Sequence, residues 1–494
     1  ETRTYPSIEP YSLTTLESSV RPGSSVHIHG ILTDSNGWII DEGYLSLESD
    51  DSTFSGHITN GRVYMKVNAP STTTDYTIRA TFSGRTESLG SLRITVDSEA
   101  DAVTDLRTSV GAGSVGVRYS LPSGYTHALV TVNGITIHNG TGTSVTTSDF
   151  LQGSIVDFLV RPYYLDSEGL RVYGSVSNIK ERLGWGGELA SDAVMEWSTQ
   201  QALPHRLISE LTVASGVTLT IEPGVTVYGR NVDSLLRVHG TLIAEASGDS
   251  DRIIFTSDNA SPAGGDWDSI RFESGSDGSL RYVTIEYAGG RKDYDGVNRA
   301  GLMIDSSPTL DNVLVRHIVN TDINTSYNQG DGKAAGVWLK GTASPLITNC
   351  IFENIESYGV YAAKDSESAF EIRDCIVRQS GSGVYLAGTG EYIFKSNQLI
   401  DNDSAGRWIA SSASRMIDNT FIDNGDNDAL GVSGTIEHDT IWNDDVKLMN
   451  TAAVASGVTL TIEPGVTVYG RRTDSKLRVH GTLIAEASGD SDRI

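Results

Sequence analysis

Apolar and polar residues alternate through most of this chain, and long helical periodicity is scarce. Val26-His27-Ile28-His29-Gly30-Ile31-Leu32, Tyr76-Thr77-Ile78-Arg79-Ala80-Thr81-Phe82 and Leu92-Arg93-Ile94-Thr95-Val96 each read as a half-buried strand. With the turn at Asp34-Ser35-Asn36-Gly37, they predict an immunoglobulin-like β-sandwich over residues 1–98. A polar stretch, 99–102, leads into a second alternating region. Ser114–Tyr119, Ala128–Val132 and Val156–Tyr163 predict a second sandwich over 102–180, and its length, strand order and Tyr-rich late strand resemble a fibronectin type III module. Residues 181–208 read as a linker and cap, with Leu189–Trp197 a candidate helix.

Beyond residue 208 the pattern becomes periodic. Val213–Ile253 recurs as Val454–Ile494 with 38 of 41 positions identical, an offset of 241 residues. The differences are Asn231/Arg472, Val232/Thr473 and Leu235/Lys476. A shorter period lies inside this unit. Glycine followed by an apolar strand recurs at Gly336, Gly359, Gly383, Gly406 and Gly431, in steps of 23, 24, 23 and 25 residues. A second column runs Asn312, Cys350, Cys375, Asn397 and Asn419. A period of 22–25 residues carrying two or three short strands predicts a right-handed parallel β-helix over 209–443. Asn312, Asn397 and Asn419 are then expected to form amide ladders. Residues 444–494 are expected to begin a second β-helix that the sequence cuts off. The fold class expected is therefore all-β: two sandwich modules, a right-handed parallel β-helix and the start of a second one.

The segments VASGVTLTIEPGVTVYG, LRVHGTLIAEASG, GGDWDSIRFESGSDGSLRYVTIEYAG and GLMIDSSPTLDNVLVRHI resemble the β-helix domains of large secreted and surface-anchored proteins of bacteria and archaea. The resemblance implies an extracellular or cell-surface setting and an adhesive or structural role. The same fold carries polysaccharide lyases and glycosidases, so the fold alone does not assign an activity. The chain begins without Met or a signal peptide and stops inside a repeat, and it reads as a piece of a longer polypeptide.

Charge narrows the partners. The net charge of −26 opposes nucleic-acid binding and charge-driven membrane attachment. No run of about 18 apolar residues is present to span a membrane. Catalytic sets are incomplete. Asn320-Thr321-Asp322 matches the first motif of polygalacturonase-type enzymes, but no Asp-Asp pair follows one coil on, and Asp444-Asp445 lies far off in the linker between units. No catalytic residue is assigned.

Binding candidates remain. Asp401 and Asp423 fall in one stacked column, near Asp403, Asp426 and Asp428, and form either a Ca²⁺ site or a solvated acidic turn. Two insertions, 289–300 and 320–333, lengthen successive coils at the same place. Their Asp293, Tyr294, Asp295, Asp322, Tyr327 and Asp331 form either a surface for a glycan, a cation or a neighbouring subunit, or ordinary variable loops. Cys350 and Cys375 stand one coil apart, as a disulfide or as a buried thiol ladder. Asn139, Asn259, Asn324 and Asn402 occupy glycosylation sequons. The function expected is an extracellular structural component of a surface layer, stalk or fibre that self-associates as a homo-oligomer or filament. The alternatives are an adhesin for surface glycans and a divergent lyase or glycosidase.

Overall fold

The computed structural model describes residues 8–15, 25–34, 42–50, 52–59, 62–70, 72–82, 85–94, 102–197, 203–290, 298–319, 333–362, 369–387, 392–410, 414–425, 428–489 and 493–494. The fold is all-β: two sandwich modules, then a right-handed parallel β-helix and the start of its second copy. The chain divides into two compact units, 1–184 with 197–204, and 185–196 with 205–494.

The first sandwich is antiparallel. Its seven strands hydrogen-bond in one path, with Arg62–Asn68 between Ser25–Asp34 and Thr53–Thr59, and Glu42–Glu48 between Thr53–Thr59 and Thr74–Phe82. Alternation puts Val26, Ile28, Leu45, Leu47, Tyr76 and Ile78 into one core. The second sandwich has two separate sheets. Thr104–Val110, Ser114–Ser120 and Ser144–Ser148 form one. In the other, Ile135–Gly140, His127–Val132 and Ile155–Leu165 lie side by side, and Ser177–Arg182 pairs with Ile155–Leu165.

In the β-helix each coil contributes strands to three faces. The first face is a ladder of nine strands, from Ala193–Met195 to Ser414–Ile417. The second face includes Val283–Glu286, Leu314–Ile318, Ile351–Ile355, Ile376–Arg378, Gln398–Ile400 and Thr420–Ile422. The third includes Asn298–Ile304, Lys333–Leu339, Tyr358–Ala362, Ser382–Leu386, Gly406–Ala410 and Leu430–Ile436. Each inward side chain packs on its counterpart one rung away, about 4.8 Å along the axis. One continuous apolar core results, running from Trp185 to Val466.

The corners explain the Asn/Cys column. Six successive second-face strands are bounded by residues in left-handed conformation. The leading corner carries Tyr282, Asn312, Asn349, Asp374, Ser396 and Asp418, at φ between 49° and 57°. The trailing corner carries Tyr287, His317, Asn354, Gln379, Asp401 and Asp423, at φ between 52° and 61°. A left-handed residue turns the chain sharply and breaks the backbone ladder. The residue after it repairs the break with its side chain. At the leading corner Cys375 N–H donates to Asn397 Oδ1, and Asn397 N–H to Asn419 Oδ1, each at 3.0 Å. At the trailing corner Ile355 N–H donates to Ser380 Oγ (3.2 Å), Ser380 N–H to Asn402 Oδ1 (3.1 Å) and Asn402 N–H to Asn424 Oδ1 (3.2 Å).

Three expectations are corrected. Asn312 is not in the amide ladder. It sits one residue earlier, in the left-handed column beside Asn349, and the buried ladder position of its rung is Val313. Gly406 does not share the Gly383 slot, because Val384 pairs with Gly406, so Arg407 aligns with Tyr385 and Trp408 turns into the core. Leu189–Trp197 holds no helix. Trp185–Leu189 and Ala193–Met195 pair in parallel with His205–Val213 and Thr218–Ile221, since a strand edge offers more hydrogen bonds than one isolated helical turn.

The repeat isolates what a neighbouring rung contributes. Val238 and Leu242 are fully buried, whereas their counterparts Val479 and Leu483 are 40% and 41% exposed where no described rung follows. The difference is worth about 1 kcal/mol for each side chain.

Replacing Asn397 by Ala strands the Cys375 N–H and the Ile372 carbonyl in the core. Urea unfolding of the β-helix is expected to lose about 2–4 kcal/mol, against about 1 kcal/mol for Asn312→Ala.

Candidate functional site

The acidic column has a backbone reason. Asp401 and Asp423 occupy adjacent rungs, but each stands at the left-handed corner that Asp and Asn tolerate best. Asp428 accepts the Asn424 N–H and so terminates the trailing amide ladder. Asp403 is exposed, and Asp426 lies outside the described residues. Among the described residues no three His, Cys, Asp or Glu side chains stand close enough to hold a metal ion.

The thiols are free and stacked. Cys350 N–H donates to Cys375 Sγ at 3.4 Å. Burial, and next the hydrogen bond with Cys375, hold the Cys350 thiol well above its ordinary pKa. Such a thiol is neutral and unreactive. Of the sequons, Asn139 and Asn259 are exposed. Asn402 is 3% exposed, and its Nδ2 donates to Val377 O (3.0 Å) and Asn424 Oδ1 (2.8 Å), which rules it out as a glycan acceptor in the folded chain. Asn324 lies outside the described residues, as do Asp293, Tyr294, Asp295, Asp322, Tyr327 and Asp331.

What is described is the face from which the insertions leave. On the outside of the third face, Met303, Trp338, Tyr361 and Tyr385 align rung by rung. Ring centroids are 4.4 Å apart for Trp338–Tyr361 and 5.0 Å for Tyr361–Tyr385. Lys333, the last residue of the second insertion, places its ammonium 5.4–5.6 Å from the rings of Tyr358, Tyr361 and Tyr385. A small second core thus lies outside the helix and fixes the end of that insertion. Its signal was present in the sequence, as the aromatic residue two places after Gly336, Gly359 and Gly383.

A cleft opens where the two copies of the unit meet. The first-face ladder stops at Ser414–Ile417, and a separate sheet begins at Thr440–Trp442. On the second face, Thr420–Ile422 pairs with Gln398–Ile400 and, among the described residues, with no strand beyond it. The third face alone runs through unbroken, from Leu430–Ile436 to Val446–Val454. The resulting cleft is shallow and half open to solvent, lined by Met416, Phe421, Val432, Trp442 and Asp444.

Polar groups in this cleft are left without partners. Trp442 is 4% exposed, and its Nε1–H meets no acceptor. At the start of the helix the equivalent position, paired with Ile221 as Trp442 is with Ile462, is the apolar Met195. Asp445 is satisfied by Thr467 N–H (2.7 Å) and the Tyr469 hydroxyl (3.2 Å). Among the described residues Asp444 has no hydrogen-bond donor; burial, and secondarily Asp445, push its pKa up to about 6. One repeat earlier these two positions are Leu203 and Pro204, so Asp444-Asp445 is particular to the junction and not a linker feature.

Residues 269–477, less than half of the chain, match the family model described as the right handed beta helix region. Among solved structures, the chicken CNTN1 FN1–FN3 domains are similar at 13% identity and a TM-score of 0.16. That match covers 36% of this chain and 65% of that one, just under two thirds. The two fibronectin type-III domain segment from chicken tenascin is similar at 16% identity and a TM-score of 0.15, over 35% of this chain and 98% of that one. No curated protein matches. The chain is a multidomain all-β protein with a parallel β-helix. No described helix is long and apolar enough to cross a membrane.

Two predictions follow from these positions. Expressed in a glycosylating host, the protein is expected to leave Asn402 unmodified, as read by peptide mapping. The acid raised at Asp444 favours the folded state as pH falls from about 6 towards its ordinary 3.8, and that gain is absent above pH 6. Asp444→Asn should therefore stabilise the junction at pH 7.5, on the order of 1 kcal/mol after allowance for solvent screening, keep roughly half of that effect at pH 5, and lose it as pH falls below the ordinary 3.8, as followed by thermal unfolding.

Proposed function

We propose that the chain is an extracellular structural protein, a repeat-built component of a surface layer, stalk or fibre that self-associates. One observation carries this reading. The second copy of the unit docks on the first as one more rung, with Gly434, Thr435 and Ile436 in parallel register with Ala452, Ala453 and Val454. Tandem copying therefore lengthens the rod by continuing its third-face ladder. Nine first-face strands precede the junction, so each copy adds roughly 45 Å. The net charge of −26 keeps such rods soluble and makes divalent cations such as Ca²⁺ plausible bridges between them.

A second reading, a carbohydrate-binding adhesin, draws support from the outward Trp338–Tyr361–Tyr385 column at the foot of the insertions. Electron microscopy with and without a calcium chelator separates the two. Ordered filaments or sheets, lost on chelation, are expected from the structural reading. Dispersed monomeric rods in both conditions would contradict it, and saturable glycan binding by such rods would favour the adhesin.

A further inference from the structure

The junction cleft borders a strand edge that no described strand covers. In every preceding rung from Cys350 onward, the leading-corner N–H is accepted by the side chain of the next rung: Cys350 by Cys375, Cys375 by Asn397, Asn397 by Asn419. The series stops at Asn419, which lines the cleft, and among the described residues its own N–H has no acceptor. The strand it introduces, Thr420–Ile422, also has no partner on its far edge among the described residues. Across the gap stands the buried, unpartnered Trp442 Nε1–H. Beside it, among the described residues, the Asp444 carboxylate lacks a donor and the cleft lining contains no Lys or Arg.

An occupant must therefore offer carbonyl acceptors to two N–H groups and a positive charge to a carboxylate, against the apolar sides of Met416, Phe421 and Val432. Extended polypeptide meets all three demands, through its main-chain carbonyls and a basic side chain. We infer that the junction is a docking site for an extended, lysine- or arginine-bearing peptide segment of a partner protein, which adds as a strand beside Thr420–Ile422. Asp418 and Asp423, exposed at either end of that strand, extend the negative rim that such a segment meets. The inference does not depend on filament formation.

The test uses the whole chain and a blocked pentapeptide of alternating valine and lysine, with a glutamate-for-lysine peptide and free n-butylamine as controls. Binding is read by tryptophan emission and by hydrogen exchange at the Asn419 amide. Saturable binding of the lysine peptide, slowed exchange at Asn419, and a loss of affinity of roughly tenfold or more in Asp444→Asn are expected. The Asp444→Asn chain is checked for an unchanged far-ultraviolet dichroism spectrum, so that the loss is read on folded protein. Equal binding of the lysine and glutamate peptides, or unaltered affinity in Asp444→Asn, would overturn the charge assignment. Full competition by butylamine, or unchanged exchange at Asn419, would overturn strand addition. No binding by any probe leaves the cleft to water and overturns the proposal outright.

Discussion

Each rung of this protein is finished by the rung that follows it. A coil of 22–25 residues cannot close its own hydrogen bonds or bury both edges of its side chains, so its stability is set by stacking. The corners make the dependence visible. A left-handed residue breaks the ladder twice per coil on the second face, and from Cys350 onward a side chain borrowed from the next rung restores it. Where the loan is made, at Asn397 and Asn402, the corner is dry and fully bonded. At Asn419 it is not made, and a cleft with unpartnered groups appears.

Seen this way, the junction between copies is the most informative part of the molecule. The third face carries the chain across in register, and this continuity makes tandem extension workable. The first and second faces break, so the seam is held on one side out of three. Extension and an open edge are two consequences of the same geometry. The sequence marks the place with Asp444-Asp445, set in positions that Leu203 and Pro204 occupy one repeat earlier.

Much of the architecture was legible in the residues. Alternation marked the strands, the step of 22–25 marked the coils, and Cys375, Asn397 and Asn419 marked a true ladder. Two of the three errors were of one residue and shared a cause. Spacing fixes the period but not which of two adjacent positions points inward, so Asn312 was taken for its buried neighbour and Gly406 for Ala405. The Asp401 and Asp423 column was in the right register, but backbone conformation accounts for its residue type without any bound cation. The cleft itself could not be read, because it arises from how two copies meet and not from any local motif. The insertion residues Asp293 to Asp331 remain a matter of sequence alone.

The central claim is that neighbour stacking, not local sequence, fixes the stability of a rung. The chain contains its own control, since 235–244 and 476–485 differ only at Leu235/Lys476. Native-state hydrogen exchange measured on both segments in the same 494-residue chain compares them directly. Much slower exchange across Leu236–Val238 and Thr241–Glu245 than across the matching residues of Lys476–Val479 and Thr482–Ala485 is the predicted result. Equal protection of the two would contradict the account.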